Sequence, residues 1–156
     1  MSSGQQAWGN ASQAIGKVIA STLKGVQKEV SQRAYRTSNE LRNASLYVLR
    51  GARSGKTYRV PNTGKKYKAS APGEPPAVRT GTFRLSWGTH VHVEKNGSCF
   101  RAVSSIESNE RAGGRLIGEM LENGHGSVAP RPYKQKVIDK ALPKVKAIYK
   151  KPYKGG

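Results

Sequence analysis

The stretch I-A-S-T-L-K-G-V-Q-K-E-V-S-Q-R-A-Y-R-T-S-N-E-L-R-N-A-S-L-Y-V-L-R-G, residues 19–51, carries Ile19, Leu23, Val26, Val30, Ala34, Thr37, Leu41, Ala44 and Val48 at steps of three and four. That spacing is one face of an α-helix. No proline interrupts it, and Gly51 stands where a helix stop belongs. The pattern predicts a single helix over residues 12–50, about 55 Å long at 1.5 Å per residue. A domain of this size needs no helix of that length. Either the helix breaks near Gly25 or bends around a core, or part of it packs on a neighbouring subunit. Ile15 and Val18 lie slightly off the stripe, which suits a second contact.

Charge dominates what surrounds this helix. The 156 residues include 28 Lys and Arg against 9 Asp and Glu, a formal net charge of +19, while hydrophobic residues make up 35 %. Such a surface favours polyanions, most simply nucleic acid, or else an acidic protein partner or anionic lipid. The length suits one domain with a modest core plus arms or loops. A lone cysteine, Cys99, excludes an intrachain disulfide and reads as a small core residue. The opening residues Met1 to Gln6 lack the pattern of a signal peptide, and no run of roughly 18 apolar residues predicts a membrane span.

After the helix, residues 51–68 read G-A-R-S-G-K-T-Y-R-V-P-N-T-G-K-K-Y-K. Arg53, Lys56, Arg59, Lys65, Lys66 and Lys68 are cationic and no acid is present. Pro61-Asn62-Thr63-Gly64 is a good turn sequence between two short strand-like runs, so a projecting basic hairpin is predicted. Residues 69–81, A-S-A-P-G-E-P-P-A-V-R-T-G, are too rich in proline for a helix or central strand and read as a stiff connector. Leu85 to Val93 then reads as a strand, Asn96-Gly97 as a hairpin turn and residues 98–106 as the return strand. Residues 115–122 form a short helix or strand ending at Asn123-Gly124. Residues 133–142 form a helix with Val137, Ile138 and Leu142 on one face, which Pro143 stops or kinks before a basic, partly extended tail. The class expected is α+β, with a small antiparallel β-sheet in a single domain: helix 10–50, basic hairpin and proline arm 51–81, sheet and last helix 82–145, tail 146–156.

Enzyme chemistry finds little support. Residues 51–57 end in G-K-T but fall one residue short of the phosphate-loop spacing, and no strand precedes them. His90, His92 and Glu94 share a strand face, yet one strand is a meagre donor set for a metal, and a solvated face is the simpler reading. Neither a cofactor nor a catalytic residue is assigned.

The block A-S-A-P-G-E-P-P-A-V-R-T-G-T-F-R-L-S-W, residues 69–87, resembles the signature of the neck or tail-completion proteins of tailed double-stranded DNA phages. In that family a proline-rich segment leads into T-G-x-L-R-x-S and then a strand. Pro72, Gly73, Pro75, Pro76, Thr80, Gly81, Arg84 and Trp87 carry the match, with Phe83 where leucine is usual. A second block, L-I-G-E-M-L-E-N-G-H-G-S-V-A-P-R-P-Y, residues 116–133, resembles the family's segment before the last helix. Glu122, Gly124, Arg131 and Pro132 match there, and His125 stands where threonine is usual. The resemblance spans about residues 10–145. It implies a non-enzymatic virion component at the head–tail interface: a homo-oligomeric ring, six- or twelvefold, around the DNA channel. The partners it implies are head-closure or connector proteins, tail-terminator or tail-tube proteins, and nonspecific contact with genomic DNA. Alternatives are a tail terminator of related fold and a basic, nonspecific nucleic-acid-binding protein. With so few acids available, Arg84 and Arg131 are each expected to pair with a carboxylate among Glu74, Glu119 and Glu122, holding the proline segment to the body.

Overall fold

The structure is a computed structural model that describes residues 3–97 and 99–153, with side chains from residue 8 onward. Helix α1 is continuous over Ser3–Arg50, 48 residues, or about 72 Å. It is longer than its sequence pattern predicts and does not break at Gly25. Next come β1 (Thr57–Arg59), β2 (Lys66–Lys68), the helical turn α2 (Thr82–Leu85), β3 (Gly88–Asn96) and β4 (Cys99–Glu107). The chain then forms β5 (Arg111–Ala112), β6 (Arg115–Leu116), α3 (Ile117–Asn123) and α4 (Lys134–Lys150). The class is α+β, but the strands form three separate antiparallel hairpins rather than one sheet.

The second half of α1 is the spine of the body. The β3–β4 hairpin packs against it, and α4 lies along it. Small side chains make this possible: Ala34, Ser38 and Ser45 are fully buried and Ala44 nearly so. The hairpin's inward residues follow the alternation of a strand, with Val91 opposite Ser104 and Val93 opposite Ala102. Ser104 also donates from Oγ to the Ala34 carbonyl, 2.8 Å. His90, His92 and Glu94 point the other way and are exposed. His92 Nε2 lies 2.9 Å from Glu94 and His90 Nε2 3.9 Å from Glu107, and among the described residues no three potential ligands converge on a metal position.

At the C-terminal end of α1 the core becomes aromatic. Leu49 and Tyr133 are almost fully buried, and the rings of Phe83, Trp87 and Tyr133 meet edge to face with centroids 5.6, 5.8 and 5.9 Å apart. Such contacts add roughly 0.5–1.5 kcal/mol each beyond area burial. Burial, with Glu122 and Glu119 nearby, pushes the Tyr133 hydroxyl up to about 12. It therefore stays protonated and donates to the Gly118 carbonyl at 3.3 Å.

Several expectations give way. Residues 82–85 are a helical turn, so Leu85 is exposed and the strand begins only at Gly88. Asn96 pairs with Cys99 as the last residue of β3 rather than as a turn residue, while Gly97, at φ 58°, lies in the turn as expected. Cys99 is exposed at that hairpin end rather than in the core. On α4 the buried residues are Val137 and Ala141, with Val145 and Ile148 half-buried, whereas Ile138 and Leu142 face out. The face was misjudged because two apolar stripes run along this helix and spacing alone does not rank them. Pro143 neither stops nor ends α4. It forfeits one hydrogen bond, to the Asp139 carbonyl, and both residues are exposed, so water reaches that carbonyl. Packing of Val145 and Ile148 against the spine carries the helix on to Lys150.

Beyond α4 the chain is caught by Arg33, a charged residue only 4 % exposed. Its guanidinium donates to the Lys151 and Pro152 carbonyls at 2.6 and 2.7 Å and to Glu29 at 2.5 Å, and the Tyr153 ring covers it at 3.9 Å. Lys144 and Glu40, 2.9 Å apart, pair further along the same antiparallel contact of α4 with α1.

Replacing Pro143 with alanine restores the missing hydrogen bond in a helix that already runs through the site. We expect Pro143→Ala to raise unfolding stability by about 1–3 kcal/mol, measured by chemical denaturation. A loss of stability would mean that the helix depends on the proline.

Candidate functional site

Helix α1 ends in carbonyls with no intrahelical partner. The chain turns at Gly51 and Arg53 folds back over them. Its Nη2 donates to Val48 O at 2.9 Å, and its Nη1 donates to Gly51 O and Ala52 O at 2.6 and 2.9 Å. The same guanidinium reaches Pro76 O through Nε and Nη2, at 3.2 and 3.0 Å. One side chain thus fastens the proline segment to the helix end. Partial burial lowers the Arg53 pKa, Glu74 opposes that shift, and the guanidinium remains charged.

The proline segment is folded on itself rather than simply extended. Pro72 and Gly73 occupy the middle of a turn closed by Glu74 N to Ala71 O at 3.1 Å. Gly73 has φ 78°, the left-handed geometry that a type II turn demands at that position. The Glu74 carboxylate then accepts from Ser54 Oγ (2.6 Å), Ser54 N (3.0 Å) and Ala71 N (2.9 Å). These hydrogen bonds, Ser54's foremost, depress its pKa from 4.5 to about 2. Pro75 and Pro76 are buried, and Ser70 donates from Oγ to Pro75 O at 2.7 Å.

The second motif block docks onto the first. Arg131 donates from Nη1 to Ser70 O, its backbone N–H donates to Leu121 O at 2.7 Å, and Gly73 N–H reaches Pro130 O at 3.4 Å. Glu122 Oε2 accepts from Tyr133 N and Lys134 N, 2.9 and 3.2 Å, where the first turn of α4 presents free donors. Gly124, at φ 78°, closes α3, and Pro132 is half-buried beside Tyr133. Gly81 is buried, Thr80 lies exposed with its hydroxyl 3.0 Å from that of Thr82, and Trp87 belongs to the aromatic core. The expected ion pairs of Arg84 and Arg131 are absent among the described residues. Arg131 does hold the proline segment, but through a backbone carbonyl. Arg84 Nε is buried without an acceptor. Glu74 and Glu122 are occupied instead by N–H and hydroxyl donors.

From this anchored base rises the hairpin. Strands β1 and β2 pair Thr57 with Lys68, Tyr58 with Tyr67 and Arg59 with Lys66. The ladder continues below them through Gly55 N to Ala69 O and Ala69 N to Lys56 O, at 3.0 and 2.8 Å. Gly55 has no alternative there, since a Cβ would sit 2.6 Å from Ala69 O. Val60 N to Lys65 O, 2.7 Å, closes the Pro61–Gly64 turn. Tyr58 and Tyr67 contact each other at 6.0 Å. Lys56, Arg59, Lys65, Lys66 and Lys68 are exposed, and none makes an ion pair among the described residues. Register sets Arg59 directly opposite Lys66, a repulsive cross-strand pair unless an anion lies near. The basic arm therefore has five free cations rather than six, because Arg53 is consumed in its foundation.

Sequence reasoning missed Arg53, Ser54 and Ser70 as anchors. Their partners are mostly backbone carbonyls, which leave no residue-type signature. No family model, curated protein or solved structure matches this chain.

The Glu74 anchor sets a pH dependence. Its folded pKa of about 2 lies below the ordinary 4.5, so its contribution is complete above the ordinary value and disappears as pH falls through the folded one. The difference in Tm between the wild type and Glu74→Gln is expected to be constant near neutrality and to shrink from about pH 4.5 to about pH 2. A pH-independent difference would mean that the carboxylate charge contributes nothing.

Proposed function

We propose that this chain is a non-enzymatic structural protein of a tailed-phage virion, one subunit of a neck ring that joins the DNA-filled capsid to the tail and surrounds the DNA channel. The two motif blocks point to that role, and one structural observation carries it. Residues 8–22 of α1 are exposed throughout, yet they include Trp8 at 79 %, Ile15 at 61 %, Val18 at 64 % and Ile19 at 55 % exposure. These residues recur at helical spacing and form an apolar stripe with no partner among the described residues of their own chain. A subunit that buries this stripe on a different surface of the next copy makes a heterologous contact, and such contacts close a ring when the rotation between subunits closes. The basic hairpin lies at the opposite end of α1, so a ring gathers one cationic arm from every subunit. DNA carries one phosphate charge per roughly 1.7 Å of axis, and such a collar attracts it without reading sequence.

The net charge of +19 equally favours a dispersed, nonspecific nucleic-acid-binding protein, and the unpartnered helix favours the ring over it. Two experiments separate them. Deleting the gene should leave filled heads and tails that do not join into infectious particles; normal particle yield would refute the neck reading. Ile15→Asp with Ile19→Asp should abolish ring formation in sedimentation while leaving the thermal transition of the subunit body in place. An unchanged oligomer would remove α1 from the interface.

Exchanging Lys56, Arg59, Lys65 and Lys66 for glutamine tests the arm. The assembled ring should bind duplex DNA more weakly and with a shallower dependence of log affinity on log salt. If assembly onto the neck fails while DNA binding is unaltered, the arm docks on protein and does not meet DNA.

A further inference from the structure

The outer face of α4 carries Ile138, Leu142 and Tyr149, which are 48, 42 and 42 % exposed. At 100° per residue they lie within about 40° of one another, apart from the buried Val137 and Ala141. Their gaps along the helix are four residues and then seven. On the exposed residues 8–22 of α1, Trp8, Ile15 and Ile19 also fall within about 40°, and their gaps are seven and then four. One spacing is the other read backwards. Set antiparallel, the two helices bring Ile19 against Ile138, Ile15 against Leu142 and Trp8 against Tyr149, and the small Ser12 falls beside the half-buried Val145. Steps of four and seven are those of helices that pack knob into hole. Within one chain the two stripes cannot meet. Lys144 pairs with Glu40, and Arg33 holds the carbonyls of Lys151 and Pro152. Residues 8–22 of the same continuous helix therefore run on past the C-terminal end of α4.

We propose that the outer face of α4 receives residues 8–19 of α1 from a second copy of this chain, as an antiparallel helix pair. In the ring proposed above, on which this pairing rests, the α1 stripe thereby gains a receiving surface on a different part of its neighbour. Charge favours this occupant. Helix α4 carries six lysines and one acid, so another basic surface would be repelled. Residues 8–22 hold a single charged residue, Lys17, on the side of the helix away from Trp8. Pairing α1 with another α1 lacks the match: where Trp8 faces Ile19, Ile15 faces Ser12. The donating and receiving stripes are separate surfaces, so every copy offers one of each, the heterologous arrangement that a ring requires.

Sedimentation of the full chain, alone and in mixtures, tests the pairing. Ile138→Asp with Leu142→Asp should abolish self-association, as Ile15→Asp with Ile19→Asp should, and each should keep the thermal transition of the body. Mixed in equal amounts, the two variants should form a dimer and nothing larger, since one retains only the α1 stripe and the other only the α4 stripe. Disulfide cross-linking reads the register in chains that also carry Cys99→Ser. Ile15→Cys mixed with Leu142→Cys should couple about tenfold faster than Ile15→Cys mixed with Tyr149→Cys, because seven residues along α4 displace the thiol by about 10 Å. These variants leave the seam largely apolar, so they decide the matter even where an aspartate variant fails to fold. Self-association lost with the α1 variant but retained with the α4 variant would overturn the pairing and leave the ring reading standing, with α1 seated elsewhere. A wild-type chain that stays monomeric would overturn both. Equal coupling of the two cysteine mixtures would overturn the register, and with it the pairing.

Discussion

A helix of 48 residues ends in unpaired carbonyls, and in this protein a single guanidinium takes charge of that end. Arg53 gathers the carbonyls of Val48, Gly51 and Ala52 together with Pro76, 23 residues further along the chain. Everything between those residues, the basic hairpin included, is a loop closed by this one side chain. Only a planar fork with several donors can span four carbonyls, so lysine could not take its place. The Glu74 turn and the Arg131 contact with Ser70 tighten the same closure from the other side. The arm is thereby given a fixed root without belonging to any sheet of the body.

The legible parts of the fold are those with local periodicity. The stripe from Ile19 to Val48 announced α1, the P-N-T-G turn announced the basic hairpin, and alternation around Val91 and Val93 announced the long one. What escaped was set by partners distant in sequence. Arg33, counted as one more cation, is buried and clasps the C-terminal segment over 100 residues away. Arg53, counted with the arm, is part of the foundation. Arg131 was rightly placed at a junction, but paired with the wrong chemistry, since a carbonyl acceptor exists at every residue and betrays nothing in sequence. Ile138 and Leu142 were assigned inward because an apolar side chain is informative about burial in one direction only. Pro143 shows tertiary packing overriding a strong local rule.

Charge and apolarity are segregated along α1. Residues 8–22 are apolar on one side and exposed on all sides, whereas its far end carries the concentration of free cations in Lys56, Arg59, Lys65, Lys66 and Lys68. The body between them is held by small buried residues and a tight aromatic cluster. In the proposed ring, this arrangement would keep the contact with like chains far from the contact with anions, so that repulsion among the basic arms would not act directly on the apolar stripe.

Among the described residues, the outer part of α1 makes hydrogen bonds only within its own helix. Gly9, Gly16 and Gly25 each weaken that segment by about 1 kcal/mol relative to alanine, and helix that lacks packing is only marginally stable in water. If the next subunit supplies the missing packing, ordering this segment and joining the ring are one thermodynamic event. Assembly would then carry the heat-capacity signature of folding: association weakens on cooling as apolar burial loses its driving force, and rings stored cold would come apart into subunits whose cores remain intact.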